Sequence, residues 1–174
     1  AAYLVLETEE KAKAQNKTIL GYLDGYGNAN DAFHQTASSA TGEGSFLAMQ
    51  AALNSAKINA EEVSYINAHG TATENNDLSE GVAIQRIFEE NLPNISSTKA
   101  FTGHTLAAAG AIEAVFSLLA IQEQKIWPNL NFKTQMVELN FSPETEIVPQ
   151  KIEKVLSNSF GFGGNCSSLL FSAV

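Results

Sequence analysis

The chain has 174 residues but only one cysteine, one tryptophan, one arginine and four prolines. A single cysteine, Cys166, excludes an intrachain disulfide and leaves no second thiol for a zinc site. Ten Lys and Arg against nineteen Asp and Glu give a formal charge of -9, so the basic stripe required for nucleic-acid binding is missing. An anionic membrane surface is excluded as a main partner for the same reason. The most apolar helical stretch, 105–121, carries Glu113 near its middle and falls short of a bilayer span, so no membrane segment is expected. The N-terminus does not join a basic region to an apolar core and a cleavage site, which together with the lone cysteine favours a reducing, cytoplasmic setting. Several catalytic signatures are also absent: G-x-S-x-G, a Walker lysine, and H-E-x-x-H. "TGEGS" and "GFGGN" miss the dinucleotide fingerprint, so phosphate or nicotinamide binding is not supported.

What remains is a globular composition, 44% apolar and 17% charged, sized for a single domain. The chain starts without methionine at "AAYLVLE", an apolar run that reads as a buried strand. A domain seldom opens inside its core, so a piece of a longer polypeptide is expected, its first strand paired to a neighbour elsewhere. Strand-like runs at 1–6, 18–27, 63–67 and 94–98 alternate with helical stretches near 42–57, 75–90 and 105–123, the α/β pattern of helices packed on a sheet. Leu78, Val82 and Phe88 share a helix face, and "NAEE" at 59–62 supplies an Asn cap with an N3 glutamate. "KIWPNLNF" reads as an irregular or edge segment because of its proline, and strands at 153–158 and 166–173 joined by "SFGFGG" close the chain as a hairpin.

Three segments carry candidate chemistry. "YINAHGTATENND" places His69 at a strand end, with Thr71 and Thr73 spaced to face one polar ligand; the same residues also suit a plain turn with threonine caps. "STKAFTGHTLAAAGAIEAV" groups Lys99 at a strand end, His104 at a helix start and Glu113 within that helix. A helix dipole and a nearby ammonium would both keep His104 neutral, and Glu113 could balance Lys99; a surface lysine and a capping histidine are the plainer reading. "SNSFGFGGNCSS" offers backbone N–H groups suited to an oxyanion and two phenylalanines that can wall a pocket, or simply a glycine-rich hairpin. His34, His69 and His104 are each 35 residues apart, but their contexts share too little for a repeat.

In this order and at these separations the three segments resemble the C-terminal half of the β-ketoacyl-[acyl-carrier-protein] synthases, condensing enzymes of the thiolase-like fold, and the opening stretch from "YLVLE" through "DAFHQT" to "TGEG" is similar to the strand, helix and strand that begin that half. The resemblance implies an α/β thiolase-like C-terminal half: a mixed sheet covered by helices, ending in a β-hairpin, forming one domain over residues 1–174 of a longer chain. It implies a decarboxylative Claisen condensation of malonyl-carrier with an acyl-enzyme thioester, in fatty acid or polyketide synthesis. His69 and His104 match the histidines acting on the malonyl unit, Lys99 the lysine that orders them, and Glu113 its carboxylate partner. Phe162 matches a gating phenylalanine whose N–H completes an oxyanion hole. Thr71 and Thr73 match contacts to the phosphopantetheine arm, and Thr36 matches a residue lining the same tunnel. Asn67, Glu113, Ser157 and Asn158 match positions where some members hold a structural cation. No other cofactor is implied. The implied partners are acyl carrier protein, the N-terminal half of the same enzyme, and a second copy in a homodimer.

The family's nucleophilic cysteine lies in the N-terminal half and has no counterpart here; Cys166 matches a position where the family commonly has asparagine. The chain alone is therefore expected to be inactive. Two rivals are a non-catalytic chain-length-factor-like subunit and a thiolase-like acyltransferase, for whose cysteine base Cys166 is the one candidate.

Overall fold

The computed structural model describes all 174 residues, Ala1–Val174. After an extended N-terminal stretch, α1 (Glu9–Ala14) starts at Thr8, whose hydroxyl accepts the Lys11 N–H at 3.3 Å. Then follow β1 (Tyr22–Asn30), α2 (Glu43–Ala56), β2 (Tyr65–Asn67), α3 (Glu74–Phe88), β3 (Asn94–Ser96), the one-turn α4 (Lys99–Thr102) and α5 (Ala109–Glu123). The short pair β4 (Lys125–Ile126) and β5 (Val148–Pro149) precedes the closing hairpin of β6 (Lys154–Gly161) and β7 (Asn165–Ser172).

Five strands form one mixed sheet in the order β1-β7-β6-β2-β3. β2 runs parallel to both β3 and β6, whereas β7 is antiparallel to β6 and β1. Because successive strand residues face opposite sides, adjacent side chains feed separate cores. Ile66, Leu156 and Leu170 pack with Met49 and Leu53 of α2 and Ile84 and Phe88 of α3. Their neighbours Tyr65, Val155 and Phe171 pack with Ala114, Ala120 and Ile121 of α5. A one-residue slip of β2 would exchange Tyr65 and Ile66 between the layers, so burial on both faces specifies the register. At the edge, a Cβ on Gly27 would lie 2.0 Å from the Ala48 carbonyl oxygen and one on Gly25 2.3 Å from that of Ala52. Only glycine lets β1 approach α2 this closely.

Some expectations need correction. Residues 1–6 form no strand, because no strand of the chain lies alongside to satisfy their backbone groups; Tyr3 and Val5 are 90% and 87% exposed. The run expected at 18–27 becomes a strand only from Tyr22 and continues to Asn30. On α3, Phe88 is buried with Ala83 and Ile84, whereas Leu78 and Val82 are only half-buried, so the core face is rotated from the one expected. A 3-10 turn at Leu106–Ala108 runs into α5, and the combined Leu106–Glu123 stretch is long and apolar enough to cross a membrane by length and composition alone. Its packing on β6 and β7 and its buried Glu113 mark it instead as a helix of the core. The NAEE cap is present: Glu62 Oε1 accepts the Asn59 N–H at 3.0 Å.

Candidate active site

The site lies where β2 and β3 end and their following turns meet. His69 follows β2, and the Ala68 N–H donates to the Ser96 carbonyl at 2.8 Å, so pairing with the β3 end extends to its doorstep. The turn after it needs left-handed backbone at Gly70 (φ 42) and Ala72 (φ 59). Glu80 of α3 holds this turn: its Oε1 accepts the His69 N–H and its Oε2 the Gly70 N–H, both at 2.9 Å. Asn158 Nδ2 also donates to Glu80 Oε1 at 3.1 Å, and Ser168 Oγ donates to Asn158 Oδ1 at 2.8 Å. Burial pushes the Glu80 carboxyl above the usual carboxylate range, against the pull of these N–H donors and of Lys99. From the other side, Ser97 Oγ donates to the Gly70 carbonyl at 3.1 Å.

Lys99 is the first residue of α4 rather than the last of a strand, and it is buried. Its Nζ forms an ion pair with Glu113 of α5 and stands 3.2 Å from His69 Nδ1. His104 follows α4, and the edges of the two imidazoles meet almost perpendicularly, 85° apart with ring centroids at 5.3 Å. The Leu106 N–H donates to His104 Nδ1 at 3.1 Å. α5 begins only at Ala109, after a 3-10 turn at Leu106–Ala108, so His104 precedes the α-helix by a turn rather than standing at its start. What lowers the proton affinity of His104 is desolvation, then the charge of Lys99. For His69, burial first and then Lys99 bring the value down to about 3. Burial drives the Glu113 carboxyl up to about 7 while Lys99 draws it down.

Both Nδ1 atoms therefore face a donor, and a neutral imidazole so placed carries its proton on Nε2. Two neutral N–H donors side by side can hold an oxygen on which negative charge develops.

The remaining candidates lie around this centre. Thr71 Oγ1 and Thr73 Oγ1 are hydrogen-bonded at 2.9 Å, and Thr73, though it is the N-cap residue of α3, makes no capping bond with its side chain. Thr36 is exposed in the loop after β1, where its N–H donates to His34 Nδ1 at 3.2 Å. Phe162 is 79% exposed at the hairpin turn. The aromatic ring beside His69 is that of Phe160, at 5.5 Å between centroids.

Asn67 and Ser157 are register partners on β2 and β6. Glu113 Oε2 beside them is buried without a hydrogen-bond partner, one anionic oxygen that suits a hard cation. The side-chain amide of Asn158 is engaged by Glu80, Ser168 and Met49. Asn67 Nδ2 is likewise engaged, donating to the Glu113 carbonyl at 3.2 Å. Cys166 on β7 is buried against Ala48 and Phe160, and burial pushes its thiol up to about 11.

Glu80 was not singled out from the sequence, and Phe160 entered only as one of the two phenylalanines of "SNSFGFGGNCSS" suited to wall a pocket. Glu80 did carry a signal: it stands four residues before Ile84 and eight before Phe88, an acid on the core face of its helix.

Residues 20–133 match the family model described as the β-ketoacyl synthase C-terminal domain. The chain is 42% identical over 178 aligned positions to 3-oxoacyl-[acyl-carrier-protein] synthase 2 of Staphylococcus aureus, covering 98% of this chain and 43% of that protein. Among solved structures it is similar to a β-ketoacyl synthase from Burkholderia phymatum STM815, with TM-score 0.89, 37% identity and coverage of 97% of this chain and 41% of the other. It is also similar to a chain of a type II polyketide-synthase complex of acyl-carrier protein with its ketosynthase bound to the hexaketide, with TM-score 0.90, 36% identity and coverage of 97% and 42%. The chain thus spans less than half the length of these relatives. With its thiolase-like mixed sheet, it belongs to the β-ketoacyl synthase C-terminal domain family.

Proposed function

We propose that this chain supplies the decarboxylation machinery of a 3-oxoacyl-[acyl-carrier-protein] synthase. The observation that carries the reading is the pair of imidazoles with Nδ1 occupied, by Lys99 Nζ at 3.2 Å and by the Leu106 N–H at 3.1 Å. Both Nε2–H groups then donate to the thioester oxygen of a malonyl unit. As the carboxylate leaves as carbon dioxide, the electron pair of the breaking C–C bond moves into the thioester, and the enolate oxygen is held by the two donors. The α-carbon next attacks the carbonyl carbon of an acyl thioester on a cysteine outside this chain, expelling the thiolate. The Phe162 N–H serves the oxyanion of that second step. Lys99 holds His69 in its tautomer and, by its charge, disfavours imidazolium; Glu113 balances Lys99.

In this reading Thr36, Thr71 and Thr73 line the path of the phosphopantetheine arm of an acyl carrier protein. A structural cation would take Glu113 Oε2 with main-chain oxygens of Asn67 and Ser157, and without the Asn158 side chain. An N-terminal half covers the apolar surface around Tyr3, Val5, Leu20 and Leu23, which borders a groove of about 730 Å³. The complete enzyme is a homodimer, and the isolated chain condenses nothing.

Replacing His69 or His104 by Ala in the complete synthase tests this: carbon dioxide release from malonyl-carrier should fall by about two to three orders of magnitude, while acyl loading remains measurable. Loss of loading with normal decarboxylation would refute the assignment.

A further inference from the structure

The loop between β1 and α2 carries Thr36 and is tied at three places. At its base Asp31 accepts the Ser39 N–H at 2.6 Å, the Ser39 hydroxyl at 2.7 Å and the Gly44 N–H at 2.8 Å. Toward the turn that carries Phe162, the Gly163 N–H donates to the Gln35 carbonyl at 2.7 Å and the Asp31 N–H to the Gly164 carbonyl at 2.8 Å. The third tie reaches α3: Asn75 Oδ1 accepts the Ser38 N–H at 2.8 Å while Asn75 Nδ2 donates to the Ser38 carbonyl at 3.0 Å. One primary amide thus satisfies both backbone groups of one residue, as a strand partner would.

Neither helix propensity nor packing accounts for Asn75. It sits in the first turn of α3, where alanine or leucine forms helix better, and it is exposed rather than in the core. What distinguishes the position is its reach. Asn75 lies two residues beyond Thr73, so its clamp on Ser38 holds the loop bearing Thr36 against the turn bearing Thr71 and Thr73.

We propose that Asn75 is a positioning residue for the carrier arm, fixing the Thr36 loop against the Thr71–Thr73 turn and thereby the channel by which a pantetheine-linked thioester reaches His69 and His104. The inference rests on the proposed condensing function and adds to it a residue that touches no substrate. Asn75 acts through Ser38, so its effect falls on the substrate with the long arm.

The test compares the complete synthase with Asn75→Leu, which keeps similar volume and improves helix propensity, and Asn75→Asp, which keeps the acceptor but opposes an oxygen to the Ser38 carbonyl. Two substrates are used, malonyl-carrier and the malonyl thioester of N-acetylcysteamine, which lacks most of the arm. In both variants the ratio of kcat/KM for carrier over short thioester should fall roughly tenfold, the loss residing in KM, as expected for two lost hydrogen bonds in Asn75→Leu and for one lost bond plus an oxygen opposed to the Ser38 carbonyl in Asn75→Asp. Amide exchange at Ser38 should quicken in Asn75→Leu. Equal losses with both substrates, a loss in kcat alone, or unaltered Ser38 exchange would each overturn the proposal. A wild-type synthase that never decarboxylates malonyl-carrier overturns the condensing function itself, and the exchange measurement reads the clamp independently of that result.

Discussion

Glu80→Gln is the sharpest perturbation that the site offers, because it changes one atom type at constant shape. The wild-type carboxylate receives N–H donors from His69 and Gly70 at 2.9 Å and from Asn158 at 3.1 Å. In the variant, the amide oxygen can keep His69 and Asn158, which share Oε1, but the amide nitrogen then confronts the Gly70 N–H. One bond to a charged acceptor is lost, worth about 1.5–3 kcal/mol, and a buried NH₂ is left without an acceptor at about 1–3 kcal/mol. Relief of the buried charge offsets part of this, since burial already holds the Glu80 carboxyl above its ordinary range. The net expectation is a loss of about 3 kcal/mol of unfolding free energy. The Gly70 end of the turn moves away from the amide, His69 moves with it, and the 5.3 Å ring pairing with His104 is disturbed. Since a misplacement of about 1 Å can cost about a hundredfold in rate, decarboxylation of malonyl-carrier should drop by that order. Urea unfolding of the complete synthase with intrinsic fluorescence detection gives the first quantity, and carbon dioxide release gives the second. Glu80→Asp, which keeps the charge and shortens the reach, should fall between variant and wild type. A Glu80→Gln enzyme within about 0.5 kcal/mol of wild type with normal decarboxylation would refute the reasoning.

Protonation and thiol reactivity supply two further tests. Burial and Lys99 hold His69 at about 3 against an ordinary 6.5, so between these values the unfolded chain binds a proton that the folded chain does not. The contribution of His69 is therefore complete above pH ~6.5 and is lost as pH falls toward 3. From pH 4.5 to 7, wild type should gain about 2 kcal/mol over His69→Gln by urea unfolding, and parallel pH profiles would contradict the buried neutral ring. Cys166, buried and pushed up to about 11, should carry the thiolate in fewer than about one molecule in a thousand at pH 7.5. Mass spectrometry of its peptide after brief iodoacetamide treatment of the native enzyme should find it unmodified; stoichiometric labelling would reopen a nucleophilic role.

Much of the site was legible one segment at a time. "NAHGTATENND" and "STKAFTGHT" name both histidines, the lysine and the threonines, because strand ends and glycine turns leave local patterns. Glu113 could be paired with Lys99 from charge and spacing within one strand-turn-helix unit, and the structure contains that ion pair. The helix expected to start at His104 starts later, because a 3-10 turn at Leu106–Ala108 intervenes before α5, an interruption that an alanine-rich run does not advertise. The strand at 1–6 failed for a different reason: apolar residues in extended backbone become a strand only beside another strand.

By itself, then, the sequence determined the α/β order, the hairpin, the residues that can do chemistry and the lone cysteine's inability to form an intrachain disulfide, because period, capping and turn formation are local properties. Tertiary structure alone decided that Glu80 would brace the His69 turn, that Lys99 would face the ring nitrogen of His69, that Cys166 would lie buried under α2 and that Asn75 would clamp Ser38. Each of these joins residues distant in the chain, and each takes its energy from burial and exact partner geometry, which exist only once the sheet has brought its strand ends together.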